Sequence, residues 1–234
     1  MQTTHENIHA VPAYQNGEFF SQLSETAQAE FEEMVFASAY PAHTVLFSET
    51  QSSTGIYIVL EGEVRLSISS SDGRRLSFRI AKAGEVLGLS STVSGKGHEM
   101  TAETLYPAKV AHVCRQSFLQ FLARHPDAYQ VVAREMIRTF NVACEQLRMV
   151  GLAASAPERL ARLLLGWSES SARQDNVARC RLSLTHEEIG EFIGASRETV
   201  TRTLSTFKHR RLVSQHGSTL TIPNPSALET YACS

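Results

Sequence analysis

Residues Thr185 to Arg202, THEEIGEFIGASRETVTR, decide the fold of the carboxy-terminal part of this chain. Thr185 stands three residues before Glu188, the spacing of a capping box that opens a helix. Ile189, Phe192 and Ile193 follow at helical spacing and predict one buried stripe. Gly194 can adopt the left-handed conformation that ends a helix, and Ala195 is small enough for a crowded turn. Ser196 then caps a second helix, whose buried stripe is Val200, Leu204 and Phe207. Arg197, Glu198, Thr201 and Arg202 share the outer face, because positions i, i+1, i+4 and i+5 lie on one side of a helix. Two short helices around a tight turn predict a helix-turn-helix, with the second helix sized for the major groove of B-DNA. Arginine pairs there with the acceptor edge of guanine, and glutamate accepts from cytosine. An ordinary helical hairpin with solvated charges is the alternative that the same stripes allow.

Downstream, Leu212-Val213 and Leu220-Thr221-Ile222 flank His216-Gly217-Ser218, a turn between two short strands. That pattern completes a winged helix-turn-helix. Lys208, His209, Arg210 and Arg211 form a basic run just after the second helix. It reads equally as phosphate contact, which sets register without reading sequence, or as a solvated helix end favoured by the macrodipole.

Upstream, Leu160, Leu163, Leu164 and Trp167 form a one-sided apolar stripe, opened by a capping box of Ser155 and Glu158. Ser168 to Asn176 reads as a polar loop. The break at Gly151 and at Ala153 to Pro157 reads as a hinge. Before it, a long helix is expected from about Asp127 to Leu152. Tyr129, Val132, Met136, Phe140, Ala143, Leu147 and Val150 recur close to a heptad. Val132, Met136, Phe140, Ala143 and Leu147 are the candidates for a seam against a second copy. Packing on the chain's own core is the alternative.

From Pro41 to Val113 the rhythm changes to short, β-branched, often alternating runs: residues 44–47, 56–60, 64–68, 76–80 and 109–113. Turn signals at 52–55, 61–63, 71–73 and 83–84 separate them. The pattern predicts a small antiparallel sandwich or roll. The fold class expected is therefore α+β: a jelly-roll-like β-roll over residues 1–125, a dimerisation helix over 126–152 and a winged helix-turn-helix over 153–234.

The chain has 234 residues, 42% hydrophobic and 20% charged, enough for one or two domains with sizeable cores. Net charge is −2, with the excess of lysine and arginine confined to the part after Met149, where a DNA partner would favour it. No apolar run approaches the roughly 20 residues of a membrane helix, and MQTTHENIHA lacks the layout of a signal peptide. A cytoplasmic protein with no membrane partner is expected. Cys114, Cys144, Cys180 and Cys233 show no CxxC spacing and read as reduced thiols; whether Cys144 or Cys114 is redox-active is left open.

The order of roll, long helix and winged helix-turn-helix, with SRETVTR opening the second hairpin helix, resembles the Crp/Fnr family of bacterial transcription regulators. The stretch HTVLFSETQSSTGIYIVLEGEVRL is similar to the family's sensor domain. The resemblance covers about Phe20 to Pro225. It implies homodimers on pseudo-palindromic promoter sites that recruit or block RNA polymerase. By that resemblance Arg197, Glu198 and Arg202 read bases, with Thr201 beside them where the cyclic-AMP-responsive members have glycine. Ser196, Thr199 and His216 fall at phosphate-touching places, and Lys208 of the basic run is added to them as a phosphate contact. Half-sites with a GTGA-like core are implied.

The resemblance also locates an effector pocket at Gly84, Gly88, Leu89, Met100, Thr101 and Ala102. Nucleotide-binding members place a glutamate on the ribose and an arginine on the cyclic phosphate. Here those places fall at Leu89 or Ser90 and at Met100 or Glu99. Methionine cannot neutralise a phosphate and glutamate repels it, while Lys96 offers only a point charge. Cyclic nucleotide is therefore not the expected cofactor. An iron–sulfur cluster is disfavoured because no cysteine precedes Cys114, and haem because surface or core histidines, as His5, His9, His43, His98 and His112 read, are far commoner than axial ligands. The rival from another class is a cupin-like small-molecule, haem- or metal-binding sensor or enzyme, with the helix-turn-helix incidental. His43, Glu61, Glu63, His98 and His112 are scattered and show no H-x-H pattern. No nucleophile elbow, phosphate-binding glycine loop or paired catalytic carboxylates are present, so no catalysis is expected.

Overall fold

The structure, a computed structural model, describes residues 17–152, 155–169 and 177–232. Ala153 and Ala154 of the expected hinge, residues 170–176 of the expected loop, His5, His9 and Cys233 lie outside the described residues. The chain divides into two compact units, one built from residues up to Asp72 with Phe78–Val142, the other from Gly73–Ser77 with Ala143 onward.

The first unit opens with two helices, α1 (Glu18–Ser21) and α2 (Glu25–Glu33), followed by β1 (Phe36–Tyr40), β2 (Val45–Phe47), β3 (Gly55–Glu61), β4 (Val64–Ser69), β5 (Arg75–Ala81) and β6 (Val86–Leu87). A short helix α3 (Leu89–Ser94), β7 (Thr101–Thr104), β8 (Ala108–Cys114) and α4 (Arg115–Arg124) lead into the long helix α5 (Ala128–Leu152). The strands make two four-stranded sheets, ordered β1-β8-β3-β6 and β2-β7-β4-β5. Their side chains alternate between the two faces of each sheet. Phe47, Val59, Val64, Leu66, Ala102 and Val110 share one apolar cluster. Ile56, Ile58, Ala111 and Val113 point the other way, into a second cluster.

That second cluster is aromatic. Phe31 of α2 meets Phe118 and Phe121 of α4 edge-on, with centroids 6.5 and 5.4 Å away. Val131 and Val132 of α5 complete it. Polar ties hold the same helix: Arg138 donates to Glu18 at 2.7 Å, and Glu85, paired with Arg79, lies beside it. Burial among these groups pushes the Glu135 carboxyl up, with Glu18 and Glu85 adding to the shift and Arg138 opposing it.

The antiparallel roll and the long helix match expectation, with three strands and several helices added. Sequence periodicity passed over β1, β6 and β7: FASAY is mostly apolar at both parities, and a two-residue strand and a Thr-Ala-Glu-Thr run carry almost no alternation.

The second unit contains α6 (Ala156–Glu169), β9 (Ala178–Arg181), α7 (His186–Ile193), α8 (Arg197–His209), β10 (Ser214–His216), β11 (Thr219–Ile222) and α9 (Pro225–Ala232). Leu160 and Leu164 are fully buried, and Trp167 meets Phe192 edge-on at 5.5 Å. Ser168 stays helical, its hydroxyl donating to the Leu165 carbonyl at 2.7 Å, so the expected loop starts later than Ser168. The wing is a three-stranded antiparallel sheet ordered β10-β11-β9. Its first hairpin strand is Ser214–His216 and not Leu212-Val213; Val213 is buried, and the Leu212 amide donates back to the Phe207 carbonyl at 2.9 Å. His216 pairs Thr219, leaving Gly217 and Ser218 as a two-residue turn, with Gly217 at φ 57°. Side chains rarely adopt that angle, which is why glycine stands there.

Candidate nucleic-acid interface

The helix-turn-helix is assembled from its caps inward. The Thr185 hydroxyl accepts from the Glu188 amide at 3.2 Å, and the Glu188 carboxylate accepts from the Thr185 amide at 2.8 Å. Both expected halves of the capping box are present. Gly194 ends α7 in the left-handed region, at φ 60°. The Ala195 amide then donates to Gly190 at 3.0 Å. Ser196 starts α8, its hydroxyl accepting from the Thr199 amide at 3.3 Å. Ile189, Phe192, Ile193, Val200, Leu204 and Phe207 are buried. From below, Arg159 of α6 donates to the Ile193 carbonyl at 2.7 Å, closing the last turn of α7.

This packing leaves Arg197, Glu198, Thr201 and Arg202 exposed along one side of α8. Glu198 sits in the first turn, where exposed amides favour negative charge. Its own backbone amide and the Ser196 hydroxyl hold its carboxyl below the usual carboxylate range, and Arg197 adds to this. Thr201 is not a bare reader: its hydroxyl donates to the Arg197 carbonyl at 2.9 Å and lies 2.8 Å from His186 Nδ1. Sequence reasoning gave His186 no role.

The expected phosphate residues are spread along the same region. Ser196 and Thr199 share the α8 N-terminus, their hydroxyls 3.2 Å apart. Lys208 is exposed, with Nζ donating to Gln215 Oε1 at 2.9 Å. His216 is exposed at the end of β10, beside the wing turn. Of the basic run, Arg210 is held by α9, where its guanidinium lies 5.5 Å from the Tyr231 ring centre and donates to the Tyr231 hydroxyl.

Along α5 the expected seam needs one correction. Val132 is 3% exposed and belongs to the roll's own aromatic cluster, so it cannot face a second copy. Met136, Phe140 (66%) and Leu147 (72%) are exposed and Ala143 is half-buried. Ile137, which the heptad reading passed over, is 59% exposed beside them. A stripe drifting from a strict heptad is what a straight 3.6-residue helix produces.

The expected effector pocket is furnished by the protein itself. Leu89 belongs to the aromatic cluster, while Ala102 belongs to the inter-sheet cluster and Met100 packs against it. Gly84 and Gly88 take positive φ angles of 90° and 76°, as turns. The Thr101 hydroxyl accepts from the Glu49 amide at 3.0 Å. Glu99 accepts from Ser90 at 2.7 Å, placing a carboxylate where a phosphate would need a cation. His98, 3% exposed, stacks on Phe47 with centroids 3.9 Å apart. The Ser91 hydroxyl lies 3.0 Å from the Gly88 carbonyl and 2.8 Å from His98 Nδ1, tying the imidazole to the start of α3. Burial pushes the His98 imidazole below its ordinary pKa. These residues do not fit a cyclic nucleotide. Among the described residues no cluster of three histidine, cysteine, aspartate or glutamate side chains is placed to hold a metal. No helix among the described residues is long and apolar enough to cross a membrane.

Comparison with known proteins agrees with the roll and the helix-turn-helix as folds. Residues 158–231 match the family described as Crp-like helix-turn-helix domain, and residues 37–125 match the cyclic nucleotide-binding domain. The chain is 28% identical over 193 residues to the transcriptional activatory protein AadR of Rhodopseudomonas palustris, covering 82% of this chain and 79% of that protein. It is 28% identical over 217 residues to the nitrogen fixation regulation protein FixK of Bradyrhizobium diazoefficiens, covering 91% and 88%. The solved structure of FixK2 from Bradyrhizobium japonicum has the same fold, with a TM-score of 0.74 at 24% identity over 84% of this chain and 96% of that one.

Proposed function

Since this chain belongs to the Crp/Fnr family of DNA-binding transcription regulators, we propose that it works as a homodimer in which each α8 lies in the major groove of a pseudo-palindromic promoter site. The observation that carries the reading is the outer face of α8. Arg197, Glu198, Thr201 and Arg202 are exposed in one row, while Val200, Leu204 and Phe207 anchor the back of the same helix. Arg197 and Arg202 suit guanine, and Glu198, kept ionised, suits cytosine. Ser196, Thr199, Lys208 and His216 flank that row and serve the phosphates, fixing register. The exposed stripe of Met136, Ile137, Phe140 and Leu147 on α5 pairs with the same stripe of a second copy, burying apolar surface that water now covers.

The protein acts by binding, without catalysis, and its place is the cytoplasm with the chromosome. RNA polymerase is the partner through which promoter binding reaches transcription. The roll carries no cation for a cyclic phosphate at Met100 or Glu99 and no carboxylate for a ribose at Leu89 or Ser90, so DNA reading does not require cyclic nucleotide.

The test is an anisotropy titration of the purified full chain, without effector, against a TGTGA-type palindrome and a scrambled duplex. Specific binding by the free protein is expected. Absence of specific binding that cyclic AMP restores would overturn the effector-free reading.

A further inference from the structure

His186 and Thr201 join the two helices of the helix-turn-helix through one side-chain hydrogen bond. His186 is the first residue of α7, and Thr201 lies one turn into α8 on the exposed row. The Thr201 hydroxyl has one proton, and it goes to the Arg197 carbonyl at 2.9 Å. His186 Nδ1 lies 2.8 Å from the same oxygen and, in the tautomer that carries its proton on Nδ1, donates to it. A helical threonine divides between two χ1 wells, because its hydroxyl can turn to the carbonyl one turn back. The Arg197 carbonyl selects that well, and His186 fastens it from the neighbouring helix.

The consequence is chemical. A free threonine hydroxyl donates or accepts, so it discriminates poorly among base edges. Here the donor is engaged and one acceptor direction is taken. With Oγ1 held by the Arg197 carbonyl and by His186, the methyl is the part of this exposed side chain left for a ligand. A threonine methyl in the major groove makes its natural contact with the 5-methyl of thymine.

We propose that His186 is a positioning residue for sequence choice: by fixing Thr201 Oγ1 it presents the Thr201 methyl to DNA and makes that position select thymine through its 5-methyl group. This deepens the reading of α8 as the major-groove helix and rests on it.

The experiment uses the full chain and a duplex selected by it from a randomised pool. Each thymine of the half-sites is replaced in turn by deoxyuridine, which keeps the pairing edge and removes only the methyl. One symmetry-related thymine is expected at which the replacement weakens binding about fourfold per half-site, the worth of one buried methyl group. Thr201→Ser, which keeps the hydroxyl, loses that penalty. Thr201→Val, which keeps a methyl on either rotamer, retains it. His186→Ala reduces the penalty toward onefold while its discrimination at the base read by Arg202 stays at the wild-type level. A deoxyuridine penalty unchanged in His186→Ala, or absent at every thymine for the wild type, overturns the inference. Arg202→Ala separates the two levels. Loss of discrimination at one base pair with no deoxyuridine effect anywhere sinks only the His186 assignment. No loss at any base pair sinks the major-groove reading itself.

Discussion

A Cβ added to Gly190 would stand 2.4 Å from the carbonyl oxygen of Ala195. The same two residues are joined by the Ala195 amide, which donates to the Gly190 carbonyl at 3.0 Å. The turn of the helix-turn-helix thus closes directly onto the side of α7, and the atom in the way is backbone, which cannot rotate aside. Gly190→Ala should lower the stability of the second unit by about 1–3 kcal/mol through overpacking. Thermal unfolding checks this, and an unchanged or raised Tm would contradict the close approach.

On α5 two apolar residues should part company. Phe140→Asp places a charge on an exposed stripe, so the protein stays folded and light scattering reports half the wild-type mass. Val132→Asp buries a charge in the roll's own core, so it should unfold the first unit at a cost of several kcal/mol. An unchanged mass for Phe140→Asp would rule out the seam.

The helix-turn-helix was legible because its signals are local. Thr185 with Glu188, Gly194 and Ser196 each announce an end of a helix within three or four residues. The expected wing slipped by two residues because Leu212-Val213 looks like a strand, yet Leu212 folds back onto the end of α8. Val132 shows the limit of periodicity on α5: a heptad lists apolar positions without saying whether the roll or a second copy covers them. Gly190 and His186 gave no local signal at all. One is needed for an approach five residues away, the other for a bond to a residue fifteen positions later.

Arg202→Ala should cost about 1–3 kcal/mol of discrimination at one base pair, leaving the others unchanged. Competition with single-substitution duplexes measures it, and an equal loss on every duplex would deny Arg202 a base-reading role.

Lys208→Ala should weaken all duplexes evenly and reduce the salt slope by about 1 for each subunit. Because Lys208 Nζ also binds Gln215 Oε1, Gln215→Ala is the control. If that variant reproduces the whole effect, Lys208 acts as a tether to the wing and not on phosphate.

The roll should lose stability in mild acid through His98. Burial lowers its folded-state pKa, while the unfolded chain titrates near the ordinary value of about 6.5. Below that value the unfolded state binds more protons, so stability present above it falls as pH drops toward the folded-state pKa. His112, lowered by burial as well, acts in the same direction. Tm measured between neutral and mildly acidic pH should fall less steeply in His98→Gln than in wild type. Parallel slopes would remove His98 from the account.

The depressed carboxyl of Glu198 has a corollary for a bacterium whose interior turns sour. Its negative charge is kept further into acid than that of an ordinary glutamate, so this one letter of the promoter goes on being recognised where an unassisted carboxylate would begin to lose it. Acid would first alter how many intact copies are on hand, through the roll, before it touched that letter.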